Sequence, residues 1–504
     1  RPAAKTVAGE AALAAASGLL LFAAFPPLDW AFLVWVALVP LFYLMLTRPL
    51  LDSLQYALVT GLLFFGPLLY YVGQFGLVPW LALALFESLF LLLVALLAGL
   101  LVRRVAFAWR PWALAAAFTL VMYLRGHIGA LSLPLGEPGY GLHSARAVIH
   151  LAALFGVHGL TFLIALVNAS LAAFLAAGSA DVRALARSSY LVAAVLTLVV
   201  AGGLVRGHML RRGLDEPGAR RVRAAAVQAA RFAPRRVGAA FVRSTVDAYS
   251  RLSLLTGAEF IVWPETAMLA APSHYPDVEA TVKRTARRCQ AWLLFGNAPL
   301  GADGRSRNAA TLLDPEGEER GRYDKVHLVL FGEYVPYRET FPFLERFPVR
   351  DFDYAPGEGL VLMETDGLRF GPLICFESLL PEMSREVVRR GSEILVIVTS
   401  DAWAGRSAEL EQHAACSVLR AVETGRYLVR AATTGITCII GPDGQILSSV
   451  PAYKPGSAVA DIIPRRELTL YTRLGDWPLV GVCLALLVVP LVRRRLRPPA
   501  TSAG

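Results

Sequence analysis

Charge is scarce in the first 205 residues of this 504-residue chain. They hold 16 of its 88 Asp, Glu, Lys and Arg residues, roughly 8%, where an ordinary soluble domain has about 25%. That scarcity excludes a disordered or tail-like protein and points to a membrane. The other 72 lie in residues 206–504, roughly 24%, an ordinary soluble density. The chain therefore joins an apolar half to a globular half. Paired cysteines are also missing. Cys289, Cys375, Cys416, Cys438 and Cys483 form no C-x-x-C motif, which argues against a zinc knuckle or dithiol centre. An odd count leaves at least one free thiol, and spacing assigns no disulfide among the rest. Internal repeats are absent, and Glu87 is the one acid placed deep in an apolar run.

What is present reads first as membrane spans. A bilayer core needs about 20 apolar residues per helix. Runs near 9–25, 30–46, 55–75, 80–102, 111–124, 147–177, 188–205 and 477–492 qualify as eight candidates. The sixth is long enough to require tilt. Net charge is +10 and the pI near 9.5. Basic clusters flank the apolar runs, so they orient the chain in a bilayer rather than bind nucleic acid. With the N-terminus inside, the cytoplasmic segments hold Arg1, Lys5, Arg48, Arg103, Arg104, Arg110, Arg183, Arg187, Arg493, Arg494, Arg495 and Arg497, and the short outer loops only Arg125 and Arg146. Eight spans then place both termini inside and residues 206–476 outside. Glu87 is an intramembrane acid, a functional candidate by default or a group facing a wet cleft.

The outer region, 221–465, is long enough for a full core. Short apolar runs at Arg223–Gln228, Phe260–Trp263, Trp292–Phe295, Leu373–Cys375, Ile394–Thr399 and Thr437–Ile440 alternate with helical stretches such as Asp277–Gln290 and Ser407–Val429. That alternation predicts an α/β or layered αββα domain.

Three strand ends carry chemistry-bearing residues. Phe260-Ile261-Val262-Trp263-Pro264-Glu265 ends on an acid. Tyr323-Asp324-Lys325-Val326-His327 leads into Phe331-Gly332-Glu333-Tyr334-Val335-Pro336. Gly371-Pro372-Leu373-Ile374-Cys375-Phe376-Glu377 runs an apolar strand into a cysteine and a helix-like stretch. A strand-to-helix turn exposes a nucleophile and aims free N–H groups at it. Singly, each has a plainer reading: a buried thiol, a solvated turn acid, a surface lysine. Their order and matching contexts point to one site.

Together these segments resemble the Glu-Lys-Cys triad of the nitrilase superfamily. Phe331 to Pro336 and Ser400-Asp401-Ala402-Trp403 are similar to segments of the apolipoprotein N-acyltransferases of the bacterial inner membrane. So are Phe25-Pro26-Pro27, Val39-Pro40-Leu41, Gly156 to Phe162 and Val167-Asn168-Ala169 in the apolar half. The resemblance covers nearly the whole chain. Leu330, Phe376, Ser400 and Ala404 stand where that family usually has Pro, Tyr, Asn and Phe. A typical Gly-Asn-Ile-Pro stretch is not clear after Val227-Gln228.

The resemblance implies an αββα nitrilase-like sandwich mounted on an eight-helix transmembrane bundle. Its parts would be spans within 1–206, a periplasmic catalytic domain at 221–465, a last span at 477–492 and a basic cytoplasmic tail at 493–504. The implied reaction moves an acyl chain from a phospholipid to Cys375, then to the α-amine of a diacylglyceryl-modified N-terminal cysteine of an apolipoprotein, without metal or cofactor. Glu265 would be the general base and Lys325 the oxyanion partner, its charge also lowering the thiol pKa. Glu333 would position Lys325 or the amine, and Glu377 would order the turn. Phe376 and Trp403 join them as supporting or substrate-binding residues. His327 is assigned structural support. The stretches Tyr334 to Tyr354 and Met268 to Pro276 are expected to form apolar arms, or else ordinary loop packing. Two alternatives remain open: a membrane-anchored amidase using the same triad on water, and a transporter with an outer binding domain.

Overall fold

The computed structural model describes residues 4–179, 181–214, 220–232, 238–268, 275–336, 340 and 353–496. They divide into two compact units, one of residues 1–128, 132–206 and 474–504, the other of 129–131 and 207–473. Arg1, Arg497 and the side chains of Arg493 to Arg495 lie outside the described residues, as do 269–274, 337–339 and 341–352, which hold most of the two expected apolar arms.

The first unit is helical: α1 (Ala4–Ala23), α2 (Val39–Thr47), α3 (Leu50–Leu68), α4 (Leu77–Leu100), α5 (Arg110–Gly126), α6 (Arg146–Ile149), α7 (Ala152–Ala176), α8 (Val182–Leu214) and, returning at the end of the chain, Trp477–Leu496. Among the described residues five helical stretches are long and apolar enough to cross a membrane: Leu50–Leu68, Leu77–Arg104, Phe107–Gly126, Ala152–Ala176 and Val182–Arg211. Val7–Ala23, Ala31–Thr47 and Trp477–Val492 are shorter apolar helices. All eight expected runs are thus helical, with three too short to count as spans by length.

Three runs are broken rather than continuous; the third run passes from α3 into a 3₁₀ helix, Tyr70–Phe75. The second passes from a 3₁₀ turn (Ala31–Trp35) into α2. Asn168 on α7 mends that break: its amide donates to Val34 C=O and its carbonyl accepts from Leu38 N–H, both at 2.9 Å. In an apolar medium freed backbone groups need such partners. The sixth run, expected as one tilted span, splits into α6 and α7, and Gly156 takes φ 65° inside the latter. Helix contacts use small residues. A Cβ on Gly61 of α3 would fall 2.6 Å from the Ser88 Cβ of α4, an approach only glycine allows.

The second unit is α/β. Its strands are β1 (Val222–Gln228), β2 (Phe260–Val262), β3 (Trp292–Asn297), β4 (Ala309–Leu313), β5 (Glu319–Asp324), β6 (Met363–Thr365), β7 (Leu368–Ile374), β8 (Ile394–Thr399), β9 (Leu428–Ala432), β10 (Thr437–Ile440), β11 (Ile446–Val450) and β12 (Gly456–Ile462). Its helices are α9 (Ala239–Ser253), α10 (Pro276–Cys289), α11 (Pro381–Arg389), α12 (Glu409–Thr424) and α13 (Leu470–Leu474), so that the final apolar helix is α14. Two six-stranded sheets form, ordered β12-β1-β2-β3-β4-β5 and β11-β10-β9-β8-β7-β6. Each has a parallel centre, β1-β2-β3 and β7-β8-β9, with antiparallel flanks.

One apolar cluster, including Phe260, Val262, Phe370, Ile374 and Val398, lies between the sheets. A second, including Val242, Tyr249, Trp263 and Val282, joins the first sheet to α9 and α10. With α11 and α12 against the other sheet, the layers are αββα. The fully buried run Ile394–Thr399 has the continuous apolar pattern of a central parallel strand. Pro372 is tolerated in β7 because β6 pairs only as far as Phe370, leaving no neighbour on that side to require its missing N–H.

Candidate active site

Glu265 follows β2 by a short, strained turn. Trp263 anchors it, fully buried, stacked on Tyr249 and donating from Nε1 to Ser253 Oγ at 2.8 Å. Thr266 takes φ 51°, an unusual conformation for a β-branched residue. The turn lies hard against β3: a Cβ on Gly296 would fall 2.5 Å from Pro264 O and 2.6 Å from Glu265 Cα. Glycine there is what lets β3 approach. The Glu265 carboxylate is buried, with Oε1 accepting from Asn308 Nδ2 and Oε2 from the Ser400 N–H, each at 2.6 Å.

Lys325 leaves the end of β5 and is also buried. Its Nζ lies 3.0 and 2.9 Å from the two Glu333 oxygens and 3.9 Å from Glu265 Oε1. Burial works against its charge, but Glu333, Glu265 and the neighbouring Cys375 outweigh that and hold its pKa above the usual lysine range. Burial likewise works to raise Glu333. Lys325, the Val329 N–H and Asn308 overcome it and leave the carboxyl below its usual range. Glu333 is carried by the Phe331-Gly332 turn, where Phe331 has φ 59° and stands 41% exposed.

Cys375 follows β7 and opens a 3₁₀ turn, Cys375–Leu379. Its φ of 53° is left-handed, which costs an L-residue about 1–2 kcal/mol. Glu377 pins this turn to the Lys325 segment. Oε2 accepts from Ile374 N–H at 2.8 Å; Oε1 accepts from Val326 N–H, His327 N–H and the Tyr323 hydroxyl at 2.8–3.0 Å. Burial raises the Glu377 pKa, yet four donors require it to act as a carboxylate. Phe376 stacks on His327 with ring centroids 5.6 Å apart. Burial and Lys325 hold the His327 pKa low, so that ring is neutral.

Lys325 does lower the thiol pKa, as expected, but it is outweighed. Burial and the Glu265 carboxylate push Cys375 well above the ordinary thiol range, and Lys325 only partly offsets them. The resting group is a thiol, and a base must take its proton. A high thiol pKa is not distinctive in itself, since burial also raises Cys416 to about 12 and Cys438 to about 11. What sets Cys375 apart is the carboxylate and ammonium beside it. All five cysteines are free.

Sequence reading missed Asn308. Its amide group donates to Glu265 Oε1 and, at 2.7 Å, to Glu333 Oε1, tying the two acids together. It precedes β4 in the plain stretch Arg307-Asn308-Ala309, which carries no motif. The Ser400 to Trp403 segment also acts differently from its outward appearance. Its backbone N–H holds Glu265, while Trp403 stands 40% exposed on the Asp401–Ala404 turn. Asp401, Glu409 and His413 bring three ligand-type atoms within 4.8 Å of one another. Arg430 Nη2 already holds Asp401 Oδ2 at 2.9 Å, so the trio is part of an ion-pair network.

Glu87 takes no part in this site. Its Oε2 pairs with Arg125 at 3.0 Å, both side chains fully buried in the helical unit. Arg125, expected in an outer loop, instead ends α5 inside that unit.

The αββα layers, with an acid, a lysine and a cysteine brought together at the ends of β2, β5 and β7, define a carbon–nitrogen hydrolase fold. Residues 223–467 match the carbon-nitrogen hydrolase family, and residues 17–170 match the apolipoprotein N-acyltransferase N-terminal domain. The apolipoprotein N-acyltransferase of Geobacter metallireducens is 33% identical over 488 residues, spanning 92% of this chain and 91% of that protein. That of Pseudomonas paraeruginosa is 34% identical over 322 residues, 62% of this chain and 61% of its own. This chain belongs to the apolipoprotein N-acyltransferase family. Among solved structures, a mutant of the Nesterenkonia AN1 amidase, from the nitrilase superfamily, aligns at 21% identity and a TM-score of 0.41, over 52% of this chain and 97% of its own.

Proposed function

We propose that this protein is an acyltransferase that moves an acyl chain from a phospholipid to the α-amino group of a diacylglyceryl-modified N-terminal cysteine of apolipoproteins. The transfer runs through a thioester on Cys375. The observation that carries the reading is a thiol on a strained strand-end turn, in the fields of a buried carboxylate and a buried ammonium.

In the first half-reaction Glu265 takes the thiol proton and the sulfur attacks the ester carbonyl. Lys325 faces the oxyanion that forms. The ester C–O bond then breaks, and the lysophospholipid leaves with the proton held by Glu265. In the second half-reaction the acceptor amine attacks the thioester and Glu265 takes its proton. The C–S bond breaks and the thiol is restored. Each Glu265 oxygen accepts a hydrogen bond, from Asn308 and from the Ser400 N–H, which fixes the carboxylate. Glu333 and Asn308 hold acid and ammonium at a set separation. Phe376 and Trp403 contribute apolar surface for the acyl chain.

Both substrates are anchored in a bilayer, which accounts for joining this domain to apolar helices. The charge bias supports both termini inside, 1–206 and 477–492 in the inner membrane, 221–465 in the periplasm and 493–504 as a basic tail.

The test uses the full chain in phospholipid vesicles with a synthetic diacylglyceryl lipopeptide. The expected product is the lipopeptide heavier by one acyl chain, formed in step with lysophospholipid and blocked when the α-amine is acetylated. Free fatty acid in place of acylated peptide would identify a hydrolase.

A further inference from the structure

Behind the Cys375 turn lies a second polar network, which the mechanism above does not use. Ser378 Oγ donates to the Cys375 carbonyl at 2.7 Å and lies 2.8 Å from His413 Nε2. His413 Nδ1 lies 3.1 Å from Asp401 Oδ1 and 3.5 Å from Glu409 Oε1. Asp401 also accepts from Thr399 Oγ1 and from Arg430 Nη2, both at 2.9 Å. All six of these side chains are buried.

The arrangement has the outline of a Ser-His-Asp triad, but proton counting excludes a serine nucleophile. A carbonyl can only accept, so the single Ser378 proton is committed to Cys375. Ser378 must then accept from His413, and Nε2 carries a hydrogen. Nδ1 faces two carboxyl groups, the nearer one ion-paired with Arg430, so it donates as well. His413 is therefore an imidazolium, the reverse of the neutral ring that takes a proton from a catalytic serine. Burial and Arg430 oppose that charge; Asp401 and Glu409 outweigh them and hold the His413 pKa above its usual value. The network reaches the nucleophile at two points: Thr399 bonds the thiol itself, and Ser378 bonds the backbone of the residue whose φ is left-handed.

We propose that His413 is a positioning residue for the nucleophile, acting through Ser378 to hold the Cys375 backbone in the turn that presents its thiol to Glu265 and Lys325. This rests on the reading of Cys375 as the acylated residue. Loss of the line leaves Cys375 in place and free to relax its turn, so the acylation rate falls while donor binding does not.

The experiment follows single-turnover acylation of the Cys375 peptide by mass spectrometry, with the full chain in detergent and phosphatidylethanolamine as donor over a range of concentrations. Ser378→Ala and His413→Leu are expected to lower the limiting rate about 10²-fold, with the half-saturating donor concentration within about twofold of the unaltered protein. His413→Gln keeps an N–H within reach of Ser378 and is expected to recover at least about tenfold of that loss. An unchanged limiting rate, a loss confined to half-saturation, or Gln no better than Leu would overturn the proposal. If thermal unfolding shows that His413→Leu does not fold, Ser378→Ala, which removes one oxygen, decides the matter alone. No adduct in the unaltered protein would strike Cys375 itself and overturn both readings together.

Discussion

Each unit of this chain buries a cation between two acids, and the two arrangements differ in what else surrounds them. In the helical unit Arg125 lies 3.0 Å from Glu87 and 3.5 Å from Glu137. Its guanidinium also donates to the carbonyls of Leu133, Leu135 and Pro134. The guanidinium carbon lies 5.4 Å from the Phe65 ring centre, and Glu137 accepts from Thr161, so the cluster fastens a non-helical segment to α5. In the α/β unit Lys325 lies 2.9 Å from Glu333 and 3.9 Å from Glu265. It makes room for a thiol that can change its bonds. A buried ion cluster is thus not a mark of chemistry; a reactive atom held on a strained turn beside it is.

The largest effect that separates the two clusters is expected from Cys375→Ala. Acyl transfer should fall by at least about 10⁴-fold, with the thermal midpoint nearly unchanged, as read by product mass and by unfolding. Next, Lys325→Met should lower the acylation rate by about 10²–10³-fold. It should also cost about 3–5 kcal/mol of stability, because Glu333 is left buried without its partner. Arg125→Met sharpens the contrast. It should cost the helical unit a similar 3–5 kcal/mol while folded protein acylates at the unaltered rate. Asn308→Ala, which removes the tie between Glu265 and Glu333, should slow acylation about tenfold and cost about 1–3 kcal/mol.

The smallest effect is in pH. Glu333 and Asp401 are both held below the usual carboxyl range, Glu333 by Lys325 against its burial and Asp401 by Arg430 and His413 against its own. A lowered folded value means stability that is complete above about pH 4–5 and lost as pH falls through the lowered values. Glu377 and Glu409, pushed up by burial, act in the opposite sense and soften that loss. Lys325→Met leaves burial to raise the Glu333 carboxyl, so the share of the acid loss that Glu333 carries should disappear from unfolding curves.

Much of this was legible in residue order. Strand-end motifs carried Glu265, Lys325 and Cys375 because an apolar run, a turn and a polar tip are all local signals. Glu333 and Glu377 followed from the same segments. Asn308 was not legible, since its role depends on two acids that are 43 and 25 residues away. The size of the burial effect on the thiol was hidden for a similar reason. Sequence displays the lysine nearby but not the burial that overrides it. In the helical half, periodicity found the apolar runs but not the breaks at Trp35 and Gly156. Those breaks depend on a distant partner, Asn168, and on a glycine conformation that hydropathy does not register. Glu87 stood out as an acid in an apolar run, and its partner Arg125 was hidden because it read as a loop residue.

The most direct test of the central claim is the mass of the Cys375 peptide after incubation of the full chain with phospholipid alone, followed by a chase with a diacylglyceryl lipopeptide. The account predicts one acyl chain on Cys375, stable in water over the assay and discharged to the peptide amine, with no adduct in Glu265→Gln. An unmodified Cys375 while acylated peptide still accumulates would contradict it.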